Sequence, residues 1–477
     1  MTTESIDALL QNARGPLRLK VEPTPAATAE IDADVAIPAI ATQTESSLPA
    51  NLPSDSEQTL AALCAAFREP IRRRRPTPSY RAAMLAVAVF MVLLPCVYAA
   101  LTGLAGWWVY RYSTQTLPGL LAAARSILIL AAFLTPSVAG TVIVIFLLKP
   151  LVSPRGRRMH PIKLLPQAEP RLHAFIEKLC AIVGAPLPSR IEVDCNVNAA
   201  ASLRGGLRGF FSGEMTLTIG LPLVAGLSLR EFTGVLAHEF GHFTQGSAMR
   251  VAYVIRSVNA WFFRVVYERD RLDEWLVGTM FSGFNPLTFV SVIANVGVWF
   301  SRVVLKTLMY LGHAVSSYLL RQMEYDADHC EALVVGSDTC EATSRRIGVM
   351  ARAVSDLEHD VLAEWQATLH LPDDFPALFA RRLAHLTAEQ QARYETELLA
   401  EKPSWADSHP TPAQRIAAAQ KLAEGGVFAA SGPATRLFAH FAPLSQAVSR
   451  AHYEDDLDLI VNPELLTPVA GILAAGR

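Results

Sequence analysis

The sequence predicts a mainly α chain with a small β-sheet, an α+β domain attached to transmembrane helices. Three observations predict it. Two long stretches, residues 82–110 and 126–148, carry no charged side chain. Beyond residue 158, segments of helical hydrophobic rhythm surround two short stretches with strand character. The whole chain of 477 residues is 51% hydrophobic and only 18% charged, more apolar than an ordinary soluble enzyme.

Taken in order, residues 1–58 form an arm. Residues 21–58 are rich in Ala, Thr, Pro, Ser, Glu and Asp and poor in aromatics, a composition that cannot bury a core. The opening "MTTESIDALLQNARG" has no apolar core of the kind a signal peptide needs. Residues 59–81 hold a short helix and a basic flank, with Arg72, Arg73, Arg74 and Arg75 in a row. Next to an apolar stretch such a run marks membrane orientation. A net charge of −2 gives no electrostatic footing for nucleic acid, and no nucleic-acid partner is expected.

Residues 82–158 read as a two-helix transmembrane hairpin, since each apolar stretch exceeds the roughly 20 residues that cross a bilayer. Pro95 and Pro136 are tolerated there, and Trp107, Trp108, Tyr110 and Tyr112 suit an interfacial belt. Cationic residues cluster before the first stretch and after the second (Lys149, Arg155, Arg157, Arg158), while the connection holds only Arg111 and Arg125. The positive-inside rule then puts both ends in the cytoplasm. The expectation is a multi-pass protein of the inner (cytoplasmic) membrane whose main domain faces the cytoplasm. Six scattered cysteines without CxxC pairs read as reduced thiols, in keeping with that side.

Residues 159–424 read as the main domain, and 425–477 as a C-terminal helical extension. Within the domain, residues 168–184 look helical. "SRIEVDCNVNAAAS" reads as a strand in which Ile191, Val193, Cys195 and Val197 alternate, and "GEMTLTIGLPLV" as a second strand of a hairpin or small sheet. An insertion at 250–320 is apolar over 286–320 yet carries Arg302, Lys306 and His313. Residues 286–320 are either a further pair of membrane-embedded helices or a long amphipathic helical hairpin on the domain or membrane surface, and their charges favour the hairpin.

The chemistry sits in "VLAHEFGHFTQG", Val235 to Gly246. His238 and His242 are four residues apart, so on a helix they share a face and can hold one ion. Glu239 follows the first histidine, where a carboxylate reaches a water at that ion. Chance alone yields HExxH in a chain this long roughly one time in a hundred. The preceding Leu227, Leu229, Phe232, Val235 and Leu236 describe a buried helix, on which polar rings need partners. Two histidines leave a tetrahedral zinc short of a protein ligand. Downstream, "RQMEYDADHCEA" places Glu324 and Asp328 one helical turn apart, either as a ligand and its support or as an acidic solvated face.

HEFGH followed after a long helical insertion by E-Y-D-A-D resembles the membrane-integrated gluzincin metallopeptidases of the HtpX and CAAX prenyl endopeptidase type. "DSHPTPAQRI", Asp407 to Ile416, and "NVNAAAS", Asn196 to Ser202, are similar to two further motifs of that family in the same order. The resemblance covers about residues 160–420 and implies a zincin-like domain with one Zn2+ per chain. It implies His238, His242 and Glu324 as ligands, Glu239 as general base, and Asp328 as the acidic residue after the third ligand with Arg415 as its salt-bridge partner. It also implies His409 as stabiliser of the tetrahedral intermediate and Asn198 as an active-site residue on an edge strand that clamps peptide. The expected partners are a polypeptide substrate and the lipid bilayer. The expected function is a zinc endopeptidase acting on membrane or membrane-proximal proteins, with quality control as its setting. The alternative is an inactive scaffold or pseudoprotease with a structural zinc. His160, His173, His313 and His329 are read as structural or surface residues.

Overall fold

The computed structural model describes residues 54–71, 77–152, 161–203, 214–244, 247–267, 286–403, 407, 409–459 and 461–469. Most of the arm, the Arg72–Arg75 run, and Arg155, Arg157 and Arg158 lie outside them.

The helix α1, Ser54–Ala65, begins inside the range read as arm. Two apolar helices follow, α2, Pro78–Arg111, and, after the short α3, Leu117–Ala123, the helix α4, Ile127–Val152. Both are long and apolar enough to cross a membrane. The domain opens with β1, Ile162–Leu164, α5, Pro170–Val183, and β2, Arg190–Asp194. It continues with β3, Ala199–Leu203, β4, Met215–Gly220, and α6, Leu221–Gly226. Then come α7, Leu229–Phe243, α8, Ser247–Tyr267, and α9, Pro286–Val335. The remainder is α10, Ser337–Thr368, β5, Leu371–Pro372, α11, Phe375–Ala384, α12, Ala388–Leu399, α13, Pro412–Leu422, α14, Phe441–Ala451, and β6, Leu466–Thr467. The chain is mainly helical with a small mixed sheet.

Two readings of the sequence need correction. The stretch read as one strand from Ser189 to Ser202 is two, β2 and β3. Asp194 accepts hydrogen bonds from the backbone N–H of Asn196 at 3.0 Å and from its side-chain amide at 2.9 Å, a local turn that competes with the ladder. The chain then crosses the end of β4, passing so close to Gly220 that a Cβ there would lie 1.7 Å from the Asn196 carbonyl oxygen. The sheet order becomes β1-β2-β4-β3, with β2 parallel and β3 antiparallel to β4.

The second correction concerns 286–320, which does not fold into a hairpin of its own. It belongs to the single 50-residue helix α9, whose residues Val292–Val335 make a third candidate span. Gly297 and Gly312 do not break it, because each is a contact point. Gly297 lies against Ile143 of α4, and Gly312 against Met91 and Leu94 of α2. Helix α9 also packs on α8. Phe262 and Ile255 of α8 share a buried cluster with Met84, Met91 and Tyr98 of α2 and with Leu305 and Met309 of α9. Some polar groups inside this bundle are paired. The Tyr98 hydroxyl donates to the Leu147 carbonyl at 2.9 Å and bonds Ser301 Oγ at 2.6 Å, and Asn259 donates to Ser316 at 3.2 Å.

Helix α7 is buried nearly all round, from Leu229 to Phe243. Its start is a capping box: Ser228 Oγ accepts from the Glu231 N–H, and the Glu231 carboxylate accepts from the Ser228 N–H at 2.8 Å. It packs on α9 at two glycines seven residues apart. A Cβ on Gly234 would meet Glu331 and Val335 at 3.0 Å, and one on Gly241 would meet Cys330 at 3.1 Å and Ala327 at 3.2 Å. The Arg230 guanidinium donates twice to the Val335 carbonyl, at 2.6 and 3.0 Å, tying the start of α7 to the end of α9.

The C-terminal residues are not an appendage: Phe428, Leu437, Val448 and Tyr453 lie in the same core as α5, β2 and α7. Leu63 and Phe67 join that core, where the Phe67 and Phe428 rings lie 4.6 Å apart. All six cysteines are free thiols.

Two predictions follow from this packing. Because residues 63–67 and 428 share one core, reporters fused near residues 65 and 430 should lie on the same side of the membrane, and one near 118 on the other. A reporter at 118 on the same side as the other two would contradict the two-span reading. Gly241→Val should force α7 from α9 and cost roughly 1–3 kcal/mol. A lower unfolding temperature together with reduced metal content of the purified chain is the expected result, and wild-type values of both would contradict the close contact.

Candidate metal centre

The two glycine contacts of α7 seat its third polar turn against the middle of the C-terminal part of α9. His238 and His242 are both buried, and so are Glu324 and Asp328 across from them. His238 Nε2 lies 3.5 Å from Glu324 Oε2, and His242 Nε2 lies 3.7 Å from Glu324 Oε1. Ligand atoms around a tetrahedral zinc, at about 2.0–2.1 Å from the ion, stand roughly 3.3–3.5 Å apart. These three side chains therefore offer the donor types for such an ion at close to that spacing, the two histidines facing different oxygens of Glu324. His238, Glu239 and His242 also bring one potential ligand atom each within 4.8 Å of one another.

The other ring nitrogen of His238 is engaged. Nδ1 lies 3.0 Å from Asp328 Oδ1, which leaves Nε2 as the nitrogen that faces Glu324. Asp328 is in turn clasped by Arg415 of α13, whose Nη2 donates to Oδ1 at 2.5 Å and whose Nε donates to Oδ2 at 3.0 Å. Asp326, two positions from Glu324 and so on another face of the helix, is exposed. His329 reaches instead toward Glu424, at 3.8 Å.

Electrostatics separate the two rings. Burial alone would lower His238, but its hydrogen bonds to Asp328 and Glu324 outweigh burial and hold it up at about 10. His242 lacks such support: burial, with the neighbouring His238, pushes it down to about 3, and its Nδ1 is buried without a hydrogen-bond partner. Burial pushes the Glu239 carboxyl above its usual range, with His238 and one backbone N–H pulling partly back.

That N–H belongs to Ala201 and donates to Glu239 Oε2 at 3.0 Å. Its direction identifies the open edge of the sheet. Gly220 N–H donates to the Asn198 carbonyl at 2.8 Å, so by antiparallel alternation residues 199, 201 and 203 turn their backbone groups away from β4. Among the described residues no strand pairs with this edge of β3, whose Ala201 N–H is taken by Glu239. Asn198 is exposed in the turn just ahead of β3 and not on the strand itself, a small shift from the sequence reading.

His409 comes in from the segment before α13. Its Nδ1 lies 3.3 Å from Glu324 Oε2, with the side chain 63% exposed. Arg321 holds this segment by donating to the Asp407 carbonyl at 2.9 Å. The helix cap is Thr411, with Gln414 completing a capping box, so His409 is left free of capping duty.

Two residues beside the centre escape sequence reasoning. Glu331, buried, lies 3.9 Å from His238 Nδ1 with its Oε1 unpaired. Its signal was available: it stands seven residues after Glu324 and three after Asp328, on the same helix face. Arg256 of α8, whose Nη2 lies 2.9 Å from Glu324 Oε1, has no motif around it.

Comparison with known proteins gives two findings. A solved structure of Ste24p from S. mikatae is similar at 17% identity and a TM-score of 0.25, over 69% of this chain and 65% of that one; the chain therefore spans about 65% of the length of that relative. The model of peptidase family M48 matches residues 166–423, a range that contains every site residue named above. That match takes in more than half of the 477 residues, and the chain belongs to peptidase family M48.

Proposed function

We propose that the chain is a membrane-bound zinc endopeptidase that hydrolyses peptide bonds in membrane or membrane-proximal proteins. The observation that carries this reading is the convergence of His238 Nε2, His242 Nε2 and the Glu324 carboxylate, with Glu239 beside them. Three protein donors leave one tetrahedral position for the reaction, whereas a structural zinc has four. Family membership and three helices long and apolar enough to cross a membrane support the same reading.

His238, His242 and Glu324 would hold a zinc ion, which would supply Lewis acidity toward a carbonyl and toward water. The chain's own residues do the rest. Glu239 takes the proton of the attacking water and returns it to the leaving amine. The Ala201 N–H holds its Oε2 in place. The same edge of β3 pairs an extended peptide through main-chain hydrogen bonds, with Asn198 at its entrance. His409, exposed and 3.3 Å from Glu324 Oε2, is placed to exchange that contact for a hydrogen bond to the oxygen on which charge develops. Asp328 and Arg415 orient His238. We place the active site on the cytoplasmic side, with one zinc per chain.

Two sets of variants test this. Glu239→Gln should retain zinc and lose proteolysis of a casein-type substrate by several orders of magnitude, at least roughly 10²–10⁴-fold. Undiminished turnover would remove Glu239 from the mechanism. Among the acidic residues of α9, Glu324→Ala should abolish tight zinc binding and activity together. Asp328→Ala should weaken both by roughly 10–100-fold, and Asp326→Ala should change little. Full zinc occupancy in Glu324→Ala, measured by elemental analysis, would overturn the ligand set.

A further inference from the structure

The carboxylate assigned to the metal is shared. Glu324 Oε2 faces His238 Nε2 at 3.5 Å and His409 Nδ1 at 3.3 Å, while Oε1 faces His242 Nε2 at 3.7 Å and is held by Arg256 Nη2 at 2.9 Å. The Arg256 side chain is 44% exposed and that of Glu324 only 4%. The part-exposed guanidinium thus touches the buried carboxylate with one of its nitrogens.

The two ligand supports in this centre act in opposite directions. Asp328 accepts a hydrogen bond from His238, which increases electron density on the nitrogen that faces the ion. Arg256 does the reverse. It donates to the ligand oxygen and so withdraws density from it, and its charge, permanent at any working pH, stands a few ångströms from where a divalent cation would sit. A fixed guanidinium also selects an orientation: the carboxylate oxygen it holds is less available, which favours binding through a single oxygen.

Resting on the metallopeptidase reading above, we propose that Arg256 is a positioning residue for Glu324. It holds the carboxylate by one oxygen and lowers its donor strength. The site then binds its metal less tightly and leaves the ion more electrophilic toward the substrate carbonyl. Affinity is given up for reactivity, and the residue responsible lies on α8, outside the helices that carry the three ligands.

The test compares zinc affinities of the full-length chain in detergent, measured by competition with a chromophoric chelator. The variants are Arg256→Ala, Arg256→Gln and Arg256→Lys. Losing a unit charge this close to a divalent ion in a part-exposed site should tighten zinc binding by about tenfold or more in the Ala and Gln variants. The Lys variant, which keeps the charge, should stay within about threefold of wild type. With zinc saturating, the Ala and Gln variants should lose kcat with little change in KM. Unfolding temperatures taken with chelator present separate this from a folding defect, and having two neutral variants guards against one that does not fold. Unchanged or weaker zinc binding in Ala and Gln variants that melt like wild type would overturn the proposal. A wild-type chain that binds no zinc would instead remove the metallopeptidase reading, and this proposal with it.

Discussion

Helix α7 touches α9 through glycine at positions 234 and 241, and everything at the centre depends on that contact. His238 lies between the two glycines on the same face, and His242 directly follows the second. At this separation the histidine rings can meet Glu324 and Asp328, short acidic side chains on the opposing helix. Were the helices at the ordinary spacing of 8–10 Å set by bulky side chains, carboxylate and imidazole could still meet, but not with so little freedom. Arg230, bonded to the Val335 carbonyl, sets the register along the axes. Register matters because α9 reaches far beyond the domain, into the bundle with α2 and α4, and could otherwise slide.

Charge balance follows from the same burial. Glu324, Asp328 and Glu331 are all buried on one face of α9, and three uncompensated carboxylates there would be strongly unfavourable. Arg415 from α13 answers Asp328, Arg256 from α8 answers Glu324, and the histidines of α7 face both. Each cation comes from a different element, so the site is a junction at which α8, α9, α13 and α7 must all be in place. That is also why its parts are scattered over 178 positions of sequence, from His238 to Arg415.

Much of the fold class and the centre was legible in the sequence. Local rules located the apolar helices, the capped α7 with its i, i+4 histidines, and α5. Family resemblance pointed to Glu324, Asp328 and Arg415, which no local spacing relates to HEFGH and which the fold brings beside it. The misreadings have physical causes. Residues 189–202 alternate as one strand would, but the turn at Asp194 and the close pass at Gly220 divide them, and neither shows as a break in periodicity. Charges within 286–320 argued for a surface hairpin, whereas glycines 297 and 312, packed on α4 and α2, allow one unbroken helix. Arg256 was invisible because its role exists only once α8 folds back beside α9. The C-terminal segment looked separate because its partners are distant in sequence: Tyr453 bonds the Pro372 carbonyl, and Phe428 packs on Phe67 and Phe175.

The central claim is that two imidazoles and one carboxylate from α7 and α9 bind a single zinc. X-ray absorption at the zinc edge, on the purified full-length chain, addresses it directly. The account predicts one zinc per chain with only nitrogen and oxygen neighbours at about 2.0–2.2 Å, and outer-shell scattering from two imidazole rings. A sulfur neighbour at about 2.3 Å, which would bring in a buried thiol such as Cys330, or scattering from a single imidazole, would contradict it.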